Sequence, residues 1–179
     1  MRRIGLTLCL LLASFAMGQA ADWRKAKWPF PRDAWPAGQA FSCHIHGCSG
    51  HELILTRVKF GFCNCEAGVR DDAEVDYVAD VDLISQEFVP VRPGDLVELF
   101  GLKGRARLYH MSESQKSQLI LGIALARTCD VVAFSISGLT SVEQSEHMLQ
   151  LISQSPDIKT YLAHICLLYT SDAADDTPC

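Results

Sequence analysis

Residues 41–65 read FSCHIHGCSGHELILTRVKFGFCNC and contain four of the chain's eight cysteines and three of its six histidines. From residue 52 to residue 63, mostly apolar side chains recur at every second position, which predicts a β-strand with one buried face. Ser49 and Gly50 are typical turn residues, and they separate this strand from residues 41–47. The stretch therefore predicts a β-hairpin that carries a cluster of cysteines and histidines.

The segment after the hairpin is strongly acidic. Between Glu74 and Leu83, apolar residues alternate with mostly acidic ones, which predicts a second amphipathic strand. A helix is the alternative, with one face formed by Tyr77, Val78, Val81 and Ile84.

Two further strands are predicted over residues 96–100 and 102–110. In the second of these, one face carries three basic side chains, namely Lys103, Arg105 and Arg107. An acidic strand and a basic strand in one domain predict cross-strand pairing of opposite charges. The alternative is an anion site on the basic face, since clustered cations bind carboxylate or phosphate.

The second half of the chain mixes helix and strand patterns. Ser112 and Gln115 match a capping box, and the apolar run Leu119–Ala126 predicts a buried helix. Residues 130–136 are short and rich in β-branched side chains, which predicts a core strand. Two helices follow, one after Ser141 and one at Ser155-Pro156, where proline suits the first helical position.

This order of elements predicts a single α+β domain over residues 41–165. We expect a largely antiparallel sheet from the first half of the chain, with helices from the second half packed on it. Within this domain, residues 102–136 are compatible with one parallel βαβ unit.

The N-terminus has the layout of a secretory signal peptide over residues 1–20. Arg2 and Arg3 precede an apolar run at residues 4–17, and small residues occupy the cleavage positions. The run is too short to span a bilayer comfortably, and a retained N-terminal anchor is the alternative. We therefore expect an exported protein, in the periplasm or outside the cell, with no membrane span after signal cleavage.

Residues 21–40 contain all three tryptophans of the chain and three of its seven prolines. The prolines exclude a regular helix, because each lacks an amide donor and restricts the residue before it. We expect Trp23, Trp28 and Trp35 to pack against the domain. A docking surface is the alternative, formed by these tryptophans with Arg24, Lys25, Lys27 and Arg32.

The C-terminal tail, residues 166–179, resembles a translated transposon adapter of the kind used in preparing sequencing libraries. The resemblance rests on the string CLLYTSDAADD at residues 166–176. It implies that native sequence stops near Ile165, so that the C-terminus is truncated. A native acidic tail is the alternative.

Disulfide bonding is the expected role of the cysteines in an exported protein. The candidates are Cys43, Cys48, Cys63, Cys65 and Cys129. Because Cys63 and Cys65 lie two positions apart on an extended chain, a bond between them would be strained. We expect bridges 43–63 with 48–65, or 43–65 with 48–63, unless Cys129 takes one of these partners.

A metal site is the alternative role for the same cluster. On an extended chain His44, His46 and Cys48 share one face, and imidazole with thiolate suits zinc or copper. Further ligands for a set of four would be His51, Cys63 and Cys65. A second alternative is thiol-disulfide oxidoreductase chemistry at Cys63 and Cys65, since a strained bond is easily reduced.

Net charge and the absence of catalytic motifs narrow the function classes. The formal net charge of −5 provides no general case for nucleic-acid binding. The sequence contains neither a Gly-x-Ser-x-Gly elbow nor a phosphate-binding glycine loop, so an enzyme is less expected than a binding module. We therefore expect an exported, disulfide-stabilised binding or interaction module with an unknown protein or small-molecule partner and no resident cofactor.

Overall fold

The computed structural model describes residues 23–31, 33–43, 48–61, 66–111 and 118–170. In these ranges the chain forms an α+β fold dominated by antiparallel strands. The strands are β1 (Trp23–Ala26), β2 (Gln39–Cys43), β3 (Leu53–Lys59), β4 (Phe88–Pro90), β5 (Asp95–Leu99), β6 (Leu102–Met111), β7 (Leu119–Arg127) and β8 (Asp130–Leu139). The helices are α1 (Asp72–Val78), α2 (Val81–Ile84), α3 (Val142–Ser153) and α4 (Pro156–Thr170).

The eight described strands form one sheet in the order β1-β2-β3-β8-β7-β6-β4, with β5 also paired to β6. The predicted β2–β3 hairpin is confirmed, with Phe41 opposite Ile54. β3 then pairs with β8, where Ile54 lies opposite Ile136. The cysteine-bearing hairpin is thereby joined to a C-terminal meander of β6, β7 and β8.

β7 corrects the prediction of a buried helix at Leu119–Ala126. These residues form a strand between β6 and β8, and both pairings are antiparallel, so the parallel βαβ hypothesis is wrong as well. Ile123 and Ile120 are fully buried in two different apolar clusters, because both faces of β7 are covered. A strand buried on both faces has a continuous apolar sequence and cannot be distinguished by periodicity from a buried helix. Ser112 and Gln115 lie outside the described residues.

The acidic segment forms helices rather than the strand that its alternation predicted. Asp71 caps α1, because its side chain accepts a hydrogen bond from the backbone N–H of Glu74 at 3.0 Å, while Glu74 completes a capping box. Val75 and Val78 are buried, but Tyr77 is 78% exposed. The alternative helix prediction was therefore correct in type, but the segment forms two short helices and exposed Tyr77 does not share a face with buried Val78 and Val81.

Two apolar clusters contain side chains from alternate positions of the strands. The larger core combines Phe134 and Ile136 of β8 with Met148 and Ile152 of α3 and with Ile158 of α4. The predicted starts of these helices are confirmed, with Ser141 as N-cap of α3 and Pro156 as the first residue of α4. No helix in the described part of the chain is both long and apolar enough to cross a membrane.

The smaller core lies among side chains of β6, β7 and α1. It combines Tyr109, Ile120 and Ala124 with Val75 and Val78. The predicted signal peptide and residues 171–179 of the adapter-like tail lie outside the described residues, whereas α4 continues to Thr170.

Candidate functional site

A disulfide bond joins Cys43, the last residue of β2, to Cys48. Their Cα atoms are 6.1 Å apart, at a sequence separation of 5 residues. Since these cysteines bond to each other, the predicted pairs with Cys63 and Cys65 are wrong. The physical reason is local, because the two cysteines are only 5 residues apart in the connection between the antiparallel strands β2 and β3. Cys129 is also disulfide-bonded, while Cys63 and Cys65 lie outside the described residues.

The predicted metal ligands are only partly described. Cys48 lies in a disulfide, so its sulfur is not a thiolate in this oxidised form. His51 is exposed to solvent, and His44 and His46 lie outside the described residues, as do Cys63 and Cys65. Within the described ranges, no group of three or more histidine, cysteine or acidic side chains is arranged to hold a metal ion.

Glu52 organises the turn beside the disulfide, a role that the sequence patterns did not indicate. Its carboxylate accepts hydrogen bonds from Ser49 N at 2.8 Å, Gly50 N at 3.0 Å, His51 N at 3.2 Å and Gln144 Nε2 at 2.6 Å. Burial raises the pKa of Glu52, but these hydrogen bonds outweigh it and hold the pKa below its usual range. The turn is thereby connected to α3 through one carboxylate.

The arginines of the predicted anion site pair with carboxylates of α1. Arg105 Nη2 lies 2.8 Å from Asp72 Oδ1, and Arg107 Nη1 lies 2.6 Å from Asp76 Oδ2. Tyr109 also donates a hydrogen bond to Asp76 at 2.6 Å. The expected pairing of basic and acidic segments is therefore present, although the acidic partner is a helix.

Lys103, the third predicted member of that basic face, lies opposite Glu98 in the β5–β6 pairing. Both residues line a cleft of about 340 Å³ beside β5. Its other walls are formed by Ala67, Gly68, Val69, Leu96, Val97, Gly104 and Ala126. Leu96 is 78% exposed at the mouth of this cleft. The cleft brings residues 67–69 together with β5 and with Ala126 of β7, and no local pattern indicates this arrangement.

A cluster of buried charges lies on β3. The alternation in residues 52–63 places Arg57 and Lys59 on the face opposite the apolar one, yet their side chains are only 3% and 8% exposed. Asp80, which follows α1, lies 2.6 Å from Arg57 Nη2 and 2.6 Å from Lys59 Nζ. Asp33 accepts two hydrogen bonds from Arg57 Nη1, at 2.9 and 2.8 Å. Sequence alternation cannot show this burial, because it comes from segments distant along the chain.

The tryptophans fall into two groups. Trp23 is buried in the larger core, which confirms the packing prediction for this residue. Trp28 and Trp35 are half-buried and lie over cations, with the guanidinium of Arg57 5.7 Å from the Trp28 ring and Lys59 Nζ 5.6 Å from the Trp35 ring. Of the basic residues in the alternative docking surface, Arg24, Lys25 and Lys27 are exposed, and Arg32 lies outside the described residues.

The described residues thus contain two places where a ligand could bind. One is the cleft beside β5, which has apolar walls and the opposite charges of Glu98 and Lys103. The other is the covered pair of cations on β3, Arg57 and Lys59. Comparison of the chain with protein-family models and with curated proteins gave no significant match.

Proposed function

We propose that the protein is an exported, disulfide-stabilised binding module that acts in the periplasm or outside the cell. The observation that carries this proposal is the Cys43–Cys48 bond, together with the bonded state of Cys129. Disulfides persist in oxidising compartments and are rare where thiols are kept reduced. The signal-peptide pattern of residues 1–20 supports the same compartment.

The cleft beside β5 supports binding as the function. In the described sheet β5 pairs only with β6, which leaves its other edge available to an added strand. Leu96 is highly exposed at this edge, and an exposed large apolar side chain beside a cleft favours a contact site. The partner would be a protein segment or a small molecule that fills the apolar part of the cleft.

A single folding unit that contains residues 41–165, together with β1 of the same sheet, belongs to the same proposal. The larger core joins side chains of β2, β3, β7 and β8 to those of α3 and α4, and the smaller core joins α1 to β6 and β7. These shared clusters support helices packed on the sheet as one domain. One cooperative unfolding transition, observed by both tryptophan fluorescence and far-UV circular dichroism, is the expected behaviour.

Intact mass spectrometry of the exported protein, with and without reduction, tests the proposal. Two disulfides would increase the mass by about four hydrogens on reduction. The N-terminus of the exported form should lie after residue 20. Export without signal removal would contradict the predicted cleavage, and a mass unchanged by reduction would overturn the disulfide-stabilised module.

Zinc or copper binding is a second candidate, because the spacing of His44 and His46 would place them on one face of an extended chain. The remaining ligands would come from His51, Cys63 and Cys65. Metal analysis of the purified protein and of a His44→Ala/His46→Ala variant tests it. Stoichiometric metal that is lost in the variant supports this candidate, and metal content unaffected by the substitutions removes it.

A thiol oxidoreductase would instead require Cys63 and Cys65 to be reduced by dithiothreitol before Cys43 and Cys48.

A further inference from the structure

A loop between β1 and β2 covers the cations of β3. We call residues 27–31 and 33–38 the strap. Its two ends are held together, because Ala26 pairs with Ala40 and the side chain of Gln39 donates hydrogen bonds to the carbonyls of Ala26 at 3.0 Å and Ala40 at 2.8 Å. The two ends of the strap therefore lie side by side in the sheet, at Ala26 and Ala40.

Side chains of the strap reach β3 through charge and aromatic contacts. Asp33 pairs with Arg57 at 2.8 Å, and its side chain is 35% exposed, whereas that of Arg57 is 3% exposed. Trp28 and Trp35 lie over Arg57 and Lys59 respectively. Arg57 is thus buried beneath Asp33, whose side chain still contacts water.

The charges beneath the strap balance only when Asp33 is included. Among the described residues, the ion pairs of Arg57 and Lys59 involve Asp80 and Asp33. Asp80 is itself buried, and it joins α1 to both cations. Without Asp33, two buried cations would share one carboxylate. An uncompensated buried charge is costly, so this place favours a second anion.

The geometry at Asp33 is that of a bound carboxylate. Both of its oxygens accept hydrogen bonds from one guanidinium nitrogen, at 2.9 and 2.8 Å. Arg57 forms its two parallel, charge-assisted bonds with Asp80, from Nε and Nη2 at 2.6 Å each. Nη1 is therefore the donor that meets the second carboxylate. The indole of Trp28 lies over the same guanidinium and provides an apolar wall beside it.

We propose that Arg57, Lys59, Trp28 and Trp35 form a binding site for the carboxylate of a small organic acid, and that Asp33 occupies this site as an internal stand-in. An external carboxylate would displace the Asp33 side chain from Arg57 Nη1, while Trp28 and Trp35 stay over the two cations and the ends of the strap stay paired. The site is separate from the cleft beside β5 and does not depend on ligand binding there. Because a tethered group competes at an effective concentration of about millimolar, the intact protein would bind the external acid weakly.

Removal of the Asp33 carboxylate tests the proposal. Because the internal competitor is gone, Asp33→Ala should bind acetate and benzoate more tightly. The concentration at half-saturation should be at least about tenfold lower than that of the wild-type protein. Tryptophan fluorescence measures the titration, because Trp28 and Trp35 lie at the site. Acetate should also raise the thermal midpoint of Asp33→Ala more than that of the wild-type protein.

Matched controls separate a site from general salt effects. Asp82→Ala removes an exposed carboxylate two residues after Asp80 and should behave like the wild-type protein. Acetamide, the neutral analogue of acetate, and sodium chloride at equal ionic strength should leave Asp33→Ala unchanged. Asp33→Asn removes the charge while it keeps the shape, and it should show the same gain in acetate binding if Asp33→Ala does not fold.

Three outcomes would overturn the proposal. Equal responses of Asp33→Ala to acetate and to chloride would make Asp33 a structural counterion. A response to inorganic phosphate without one to acetate would exclude the carboxylate assignment. Failure of both Asp33 variants to fold would show that the internal carboxylate cannot be exchanged.

Discussion

At the residue scale, Glu52 shows how one carboxylate can organise a turn. Its side chain is 2% exposed, and its acceptor positions are satisfied by backbone amides of the turn and by Gln144 of α3. Hydrogen bonds to an ionised acceptor are stronger than those between neutral groups. The turn next to the Cys43–Cys48 bond therefore depends on a charge as well as on a covalent link.

Glu52→Gln should lower the free energy of unfolding by about 1–3 kcal/mol, because the new amide group faces N–H donors that lose their acceptor. Chemical denaturation at pH 7 measures the difference. Glu87→Gln, at an exposed position, is the control and should have little effect. An unchanged stability of Glu52→Gln would show that water replaces the lost acceptor.

The same residue makes stability depend on pH. The pKa of Glu52 is lowered in the folded protein, so its contribution is present above the unfolded value of about 4 and is lost as the pH falls through the folded pKa. Asp33 and Asp72 have lowered pKa values too, which acts in the same direction. Thermal midpoints from pH 7 down to pH 2.5 should fall less steeply in Glu52→Gln than in the wild-type protein.

At the element scale, β6 and β7 approach each other unusually closely at Gly104. A Cβ atom built at this position would overlap the carbonyl group of Ala124 and lie 2.8 Å from Leu125 Cα. Both are backbone atoms, so no side-chain rotation can relieve the overlap. The glycine in a strand pattern is therefore explained by the close approach of a neighbouring strand.

Gly104→Ala should destabilise the protein by about 3 kcal/mol, the upper part of the usual range for overpacking, because the sheet backbone itself must shift. Urea denaturation followed by circular dichroism measures this loss. Ala73→Ser, at an exposed position on α1, is a control of similar size change. Wild-type stability in Gly104→Ala would mean that β6 and β7 separate there without cost.

At the scale of the whole molecule, the Cys43–Cys48 disulfide ties a short loop to the end of a strand of the sheet. The Cys43–Cys48 loop lies at the end of β2, next to β3, and β3 in turn pairs with β8. A bond across so short a loop restricts the unfolded chain only modestly. Most of the buried apolar side chains in the described residues belong to the two cores, and few belong to the loop that this bond closes.

Cys43→Ser/Cys48→Ser should therefore lower the free energy of unfolding by about 2 kcal/mol and leave the protein folded. Chemical denaturation under non-reducing conditions measures the change. Non-reducing peptide mapping provides the matching covalent assay, since it should find Cys43 and Cys48 bonded within one peptide. A peptide containing either residue cross-linked to Cys63 or Cys65 would contradict the observed pairing.

The sequence by itself determined elements whose signals are local. The β2–β3 hairpin, the core strand β8 and the starts of α3 and α4 follow from alternation, turn residues, capping side chains and the position of proline. The attraction between the basic face of Arg105 and Arg107 and the acidic segment was predictable for the same reason, because opposite charges were grouped along the chain.

Only the tertiary structure decided the elements whose environment comes from distant segments. β7 is a strand because β6 and β8 satisfy its backbone, although its apolar run also suits a buried helix. Arg57 and Lys59 occupy alternate positions typical of a solvent face, yet Asp80 and the strap bury them. Periodicity reports how a segment could be buried, but the partner that covers each face is fixed by long-range packing.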